Sequence, residues 1–223
     1  MIKTKKKGIL TVISGPSGCG KDTVTQELLK KRKNIWVSIS CTSRLPRPNE
    51  ENGKDYYFLT KEEFENKIKN NEMLEYAEYA DNYYGTPKEY IQSHLDNGED
   101  VFLIIEIQGA MKIKELLPET LFIFILPPSM KELKNRLENR KTETKEKIDK
   151  RFKQAYTEIN EVSKYNYVVV NDEVENAAMK IDAILTAEKC RVDRIEEVYL
   201  NTEEETIHET LSNKEFQNEE KTI

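Results

Sequence analysis

Residues 8–14, GILTVIS, are apolar or β-branched at almost every position, the pattern of a strand buried on both faces of a parallel sheet. Three further runs read the same way: DVFLIIE at 100–106, TLFIFIL at 120–126 and YNYVVVND at 165–172. After the first strand, DTVTQELLKKRK sets Val24, Leu28 and Leu29 on one helical face. Helical spacing recurs over roughly 108–117, 129–140, 144–163 and 173–190. Strands that alternate with helices predict an α/β fold, a three-layer parallel sheet with helices on both faces.

Two stretches interrupt that rhythm. Residues 40–97 carry turn signals in SRLPRPNEENGKDYYFL and are rich in tyrosine in EYAEYADNYYGTPKEY, which predicts a small mixed α/β insertion projecting from the sheet. Residues 134–153, KNRLENRKTETKEKIDKRFK, have almost no apolar face at their centre; a solvated helix pair and a mobile helical lid both fit such a run. From about residue 200 the chain is acidic and weakly apolar, so the tail is expected to be frayed helix or disorder.

Composition narrows the classes. With 223 residues the chain suits one α/β domain with insertions or two small domains. A net charge of −6 argues against broad nucleic-acid binding, although a local arginine cluster can still hold a small anion. Three widely spaced cysteines, Cys19, Cys41 and Cys190, fit a reducing compartment better than a disulfide framework or a zinc site. The basic start MIKTKKK precedes an apolar run too short for a signal segment or a membrane span, so a cytoplasmic location is expected.

The candidate chemistry begins at SGPSGCGKDTV. Gly15, Gly20 and Lys21 fit G-x-x-x-x-G-K-[ST], a loop whose backbone amides cradle a polyphosphate, and the strand-loop-helix context supports the match. Gly15, Gly18 and Gly20 permit positive φ and close approach, while the helix that starts near Lys21 adds its positive end. Position 22 departs from the pattern, since Asp22 stands where a hydroxyl holds Mg²⁺. Either Asp22 takes that metal role, directly or through a water, or phosphates and waters hold the ion and Asp22 is a tolerated neighbour.

GPSGCGKDT, followed in order by SCTSRLPRPNEENGKDYYF, NEMLEYAEYADNYYGTP, IIEIQGA and FILPPSMKELKNRLENR, closely resembles the guanylate kinases over roughly residues 8–190. The resemblance implies a core (1–39, 98–133 and 154–199), a GMP-binding insertion (40–97), a lid (134–153) and an appended acidic tail (200–223). It implies ATP-dependent phosphorylation of GMP and dGMP with Mg²⁺, by a monomer or homodimer without nucleic-acid or membrane partners. The ATP site would comprise Gly15, Pro16, Ser17, Gly18, Cys19, Gly20, Lys21, Asp22 and Thr23.

Arg44, Arg47, Tyr56 and Tyr84 match family positions that hold the GMP phosphate, and two guanidiniums with two phenols suit a dianion. Glu75 matches the position that accepts from guanine N1–H and the 2-amino group, with Ser40 and Thr86 as donors to O6 and N7. Adenine would leave that carboxylate unpaired, a penalty that can reach about 10⁴-fold. Lys21, Arg44, Arg136, Arg140 and Arg151 match the cations that stabilise the moving phosphoryl group. In LIIEIQG, Glu106 keeps the second of two carboxylates usual in relatives, while Ile104 occupies the first. Asn171 and Asp172 match a strand end near the adenine.

Two other readings compete. Guanylate-kinase-like protein-binding modules share the fold, but typically lack the loop lysine and lid arginines that are present here as Lys21, Arg136 and Arg140. A kinase for another nucleoside monophosphate is disfavoured by Glu75 with Ser40 and Thr86.

Overall fold

The computed structural model describes residues 3–4, 7–79, 81–139 and 145–197. They fall into two compact units, one within residues 7–185 and one made of residues 3–4 with 186–197. In the second, β1 (Lys3–Thr4) pairs antiparallel with β11 (Ile195–Glu197).

The larger unit is built on β2 (Leu10–Ser14), β3 (Ile35–Val37), β8 (Asp100–Ile104), β9 (Leu121–Leu126) and β10 (Tyr167–Val170). They form one parallel sheet in the order β10-β9-β2-β8-β3. Side chains alternate across it. Ile13, Phe102, Ile123, Ile125 and Val169 face α1 (Lys21–Lys31) and α7 (Val174–Glu188) in one core. Val12, Val101, Leu103 and Phe122 face α3 (Ile91–Asp96) and α4 (Ile107–Leu116) in the other. Both faces are dry, which is why these strands read as unbroken apolar runs rather than as alternating ones. The three-layer expectation is met.

Within 40–97 a second sheet forms from β4 (Cys41–Thr42), β5 (Tyr57–Phe58), β6 (Met73–Tyr79) and β7 (Asn82–Pro87), ordered β5-β4-β7-β6. Its own core is Cys41, Phe64 and Met73, with Phe64 delivered by α2 (Lys61–Lys69). That helix starts at a reciprocal cap: Glu63 N donates to Thr60 Oγ1 at 3.1 Å, and Thr60 N to Glu63 Oε2 at 2.7 Å. By contrast, α3 at the end of this stretch buries Ile91 and Leu95 in the main core.

The charged run 134–153 lies on α5 (Met130–Asn139) and α6 (Lys145–Glu158). The sparse apolar residues of these two helices are the ones that pack: Leu133 and Leu137 of α5 meet Ile148 and Ala155 of α6 in a third small core. The strand expected to reach residue 106 ends at Ile104, because Glu106 becomes the N-cap of α4. Helix α6 gives way to a 3₁₀ turn at Ile159–Lys164.

Leu137 also touches the loop after β2. A Cβ on Gly18 would lie 2.9 Å from Leu137 Cδ2. We therefore expect Leu137→Ala to destabilise the fold by about 2–5 kcal/mol, read as a lower urea midpoint. An unchanged midpoint would show that α5 does not anchor that loop.

Candidate active site

The turn between β2 and α1 has the backbone that its glycines foretold. Gly15, Gly18 and Gly20 have φ of 147°, 90° and 94°. Gly20 is the N-cap of α1 in the left-handed region, and a Cβ there would lie 2.3 Å from Asn171 Nδ2. Carbonyls of the turn are tied backward. Lys21 Nζ donates to Gly15 O at 2.7 Å, Asn171 Nδ2 to Cys19 O at 2.8 Å, and Arg136 Nη1 to Cys19 O at 3.4 Å. The first-turn amides of α1 have no intrahelical acceptors, so they remain for an anion at the mouth of the turn.

Lys21 is the central cation. Burial alone would lower its ammonium, but Glu106, then Cys19 and Asp22, outweigh burial and hold it above its ordinary value. Its Nζ stands 3.8 Å from Glu106 Oε1. The lysine stays charged and points along the loop.

One cleft gathers most of the residues expected from the sequence. The loop side contributes Ser17, Gly18, Gly20, Lys21, Asp22 and Thr23. Opposite stand Ser40, Arg44, Arg47, Tyr56, Glu75 and Tyr84 from the second sheet and its loops. Ile104, Glu106 and Gly109 close the floor, and Arg151 enters from α6. Ile104 thus puts a methyl surface at the position where the resemblance implied a carboxylate. Gly15, Pro16, Cys19 and Thr86 do not line this cleft; Cys19 and Thr86 are buried behind it.

Arg44 is held before any ligand arrives. Its Nη1 and Nη2 donate to the two Glu50 oxygens at 2.9 and 3.1 Å, and its guanidinium lies 5.3 Å from the Tyr56 ring centroid. Glu50 also accepts from the Arg47 backbone amide at 2.7 Å. Burial would raise the Glu50 carboxyl, but these arginine contacts outweigh it and keep the group below the usual range. The sequence reading missed Glu50; its signal was an acid six residues after Arg44 in the same turn-rich segment. Tyr56 is pushed up to about 12 by burial and then by Asp22 and Glu106, so its phenol remains a proton donor.

Glu75 is 6% exposed, and Thr86 Oγ1 donates to its Oε1 at 2.8 Å. The β6–β7 pairing of Glu75 with Thr86 creates this contact. Burial pushes the Glu75 carboxyl up, while the Thr86 hydroxyl and Lys112 pull it down less strongly. Thr86, expected as a donor to a base, here spends its hydroxyl on Glu75.

Two other expected residues fall elsewhere. Arg136 lies against the loop: besides Cys19 O it donates to Asn171 O at 3.1 Å and to Glu132 Oε1 at 2.9 Å. Asn171, expected near a base, is buried as a brace for the loop. Arg140 lies outside the described residues, as does the tail from 200. Cys19 and Cys41 are buried thiols; burial pushes both up, Cys41 to about 11, which leaves them poor nucleophiles despite their place in site motifs.

The family profile described as guanylate kinase matches residues 7–188. Guanylate kinase of Clostridium tetani is 59% identical over 206 residues, covering 92% of this chain and 99% of that protein. Guanylate kinase of Caldanaerobacter subterraneus subsp. tengcongensis is 56% identical, covering 91% and 98%. The crystal structure of guanylate kinase from Anaplasma phagocytophilum superposes with a TM-score of 0.74 at 38% identity, covering 89% of this chain and 94% of that one. With a phosphate loop, a tethered arginine pair and a buried carboxylate around one cleft, and relatives matched nearly end to end, the chain belongs to the guanylate kinase family.

Proposed function

We propose that the cleft transfers the γ-phosphoryl group of ATP to GMP, or to dGMP, giving ADP and GDP or dGDP. One observation carries this reading: a phosphate-binding turn with a charged lysine faces two organised arginines and a buried carboxylate across the same cleft. ATP would lie on residues 15–23, its phosphates on the turn amides and Lys21. The GMP phosphate would take Arg44, Arg47, Tyr56 and Tyr84, two of them cations already oriented by Glu50. Its guanine would give N1–H and the 2-amino protons to Glu75, which Thr86 holds from behind, with Ser40 beside the acceptor edge.

Phosphoryl transfer through a loose transition state needs alignment and positive charge more than a strong base. Lys21 and Arg151, both lining the cleft, would supply that charge. Arg136, seated on Cys19 O and Asn171 O, supports the loop in this conformation. A lid over 134–153 would bring Arg136 and Arg140 toward the phosphoryl group as it closes, shielding it from water.

The residues present fit a magnesium ion. Asp22, Glu106 and Glu158 are the carboxylates near Lys21, and the described residues hold no group of three or more acid, histidine or cysteine side chains placed to hold a metal ion together. Two acids at most, with phosphate oxygens and water completing the shell, is the usual magnesium arrangement. The ion would offset charge between the β- and γ-phosphates. Among the described residues no helix is long and apolar enough to cross a membrane.

The direct test is ADP release from ATP with GMP, dGMP, AMP, UMP or dTMP. Turnover with the two guanine nucleotides is expected, and Lys21→Ala should lower it by at least about 100-fold. Activity on AMP or pyrimidines alone would overturn the substrate, and none on any nucleotide would favour a binding module. Glu75→Gln should cut GMP efficiency by roughly 100-fold while leaving the fold as stable or more so. Its folded carboxyl is raised, so folding opposes ionisation; that penalty is absent below the ordinary carboxylate range and grows as the pH rises above it. The melting-temperature gain of Glu75→Gln should therefore shrink as the pH falls. An unaltered preference for GMP over AMP would refute the guanine contact. Asp22→Ala should raise the half-saturating Mg²⁺ concentration roughly tenfold, and an unchanged Mg²⁺ profile would remove Asp22 from the metal's surroundings.

A further inference from the structure

Helix α4 opens Ile107-Gln108-Gly109, with Glu106 as N-cap. A glycine inside a helix costs about 1 kcal/mol relative to alanine, so its presence in the first turn calls for a reason. The backbone does not supply one, because Gly109 is not among the residues of positive φ. The neighbour does. A Cβ built on Gly109 would lie 2.6 Å from Glu75 Oε2, 3.0 Å from Cδ and 3.3 Å from Oε1. The carboxylate of Glu75 therefore rests directly on bare helix backbone, and Gly109 is itself buried.

We infer that Gly109 is a positioning residue for base selection: its missing side chain sets the depth and tilt at which Glu75 presents both oxygens to the guanine edge. This deepens the GMP reading proposed above and rests on it. The carboxylate is fixed on two sides. Thr86 Oγ1 holds Oε1 from β7 at 2.8 Å, and the backbone of α4 stops Oε2. Glu75 also lies beside the positive end of α4, which favours the ionised form that must accept two protons. Lys112, one turn further along α4, adds a cation: its ammonium lies 4.8 Å from the Tyr76 ring centroid and donates to Tyr76 O.

A methyl group at 109 cannot coexist with this arrangement, since 2.6 Å is far inside van der Waals contact. Glu75 would have to shift toward the cleft or rotate away from Thr86. Either movement breaks a bidentate match that tolerates about 0.5 Å. The Arg44 and Arg47 contacts to phosphate and the turn of residues 15–20 are built by other elements, so they should not respond.

The experiment compares Gly109→Ala, Glu75→Gln, the double variant and the parent in steady-state kinetics with GMP and IMP, the latter lacking the 2-amino donor. For Gly109→Ala we expect kcat/KM for GMP to fall roughly 10- to 100-fold, mainly through KM. The GMP-to-IMP ratio should collapse with it, while KM for ATP stays within about twofold. In the Glu75→Gln background Gly109→Ala should add less than about twofold, because the group it displaces has already lost its function. Gly109→Ala with Glu75→Asp, whose shorter side chain frees the space, should recover part of the GMP-to-IMP ratio. An intact ratio in Gly109→Ala, or an equal loss in both backgrounds, overturns the inference while leaving the guanine contact standing. If Glu75→Gln itself leaves the ratio unchanged, the guanine reading falls and this inference with it. Should Gly109→Ala fail to fold, a soluble Gly109→Ala/Glu75→Asp protein with guanine preference supports the steric argument, and an equally insoluble one overturns it.

Discussion

The cleft depends on a backbone turn whose carbonyls are pulled back so that its amides face forward. Gly15 O is held by the Lys21 ammonium, and Cys19 O by Asn171 Nδ2 and Arg136 Nη1. Each contact satisfies a carbonyl that would otherwise point into the anion site. Helix α5 then presses Leu133 and Leu137 against Gly18, so the turn is also packed from outside. Because Lys21 both closes the turn and supplies charge to the cleft, the shape of the loop and its electrostatics stand on one side chain.

A protein of net charge −6 binds polyanions by concentrating a few cations and ordering them with carboxylates. Glu106 stands beside Lys21, and Glu50 holds Arg44 and Arg47. Such pairs add little to stability near the surface, but they spare the ligand the cost of ordering long side chains. Glu75 is the opposite case, an acid in a nearly dry pocket where ionisation works against folding. The fold accepts that cost where it produces selectivity, since an unpaired buried carboxylate penalises the wrong base.

Comparison of sequence and structure separates two kinds of information. Strands buried on both faces were legible because their apolar runs had no polar alternation to confuse, and the loop because three glycines, a lysine and a strand-helix context recur at fixed spacing. Legible too were Arg44, Arg47, Tyr56, Glu75 and Tyr84, which the family's motifs marked and one cleft brings together. Other roles were hidden. Asn171 and Arg136 read as ligand contacts yet brace Cys19 O, Thr86 read as a base donor yet bonds Glu75, and Glu50 and Gly109 drew no attention.

By itself the chain determined the order of its elements, the phosphate turn and the types of group available, because these follow from local periodicity and from spacing within short segments. Only the tertiary structure decided which groups face a ligand and which face each other. Residues 19 and 171, or 75 and 109, meet through packing of separate elements, and no pattern within either segment encodes the distance between them.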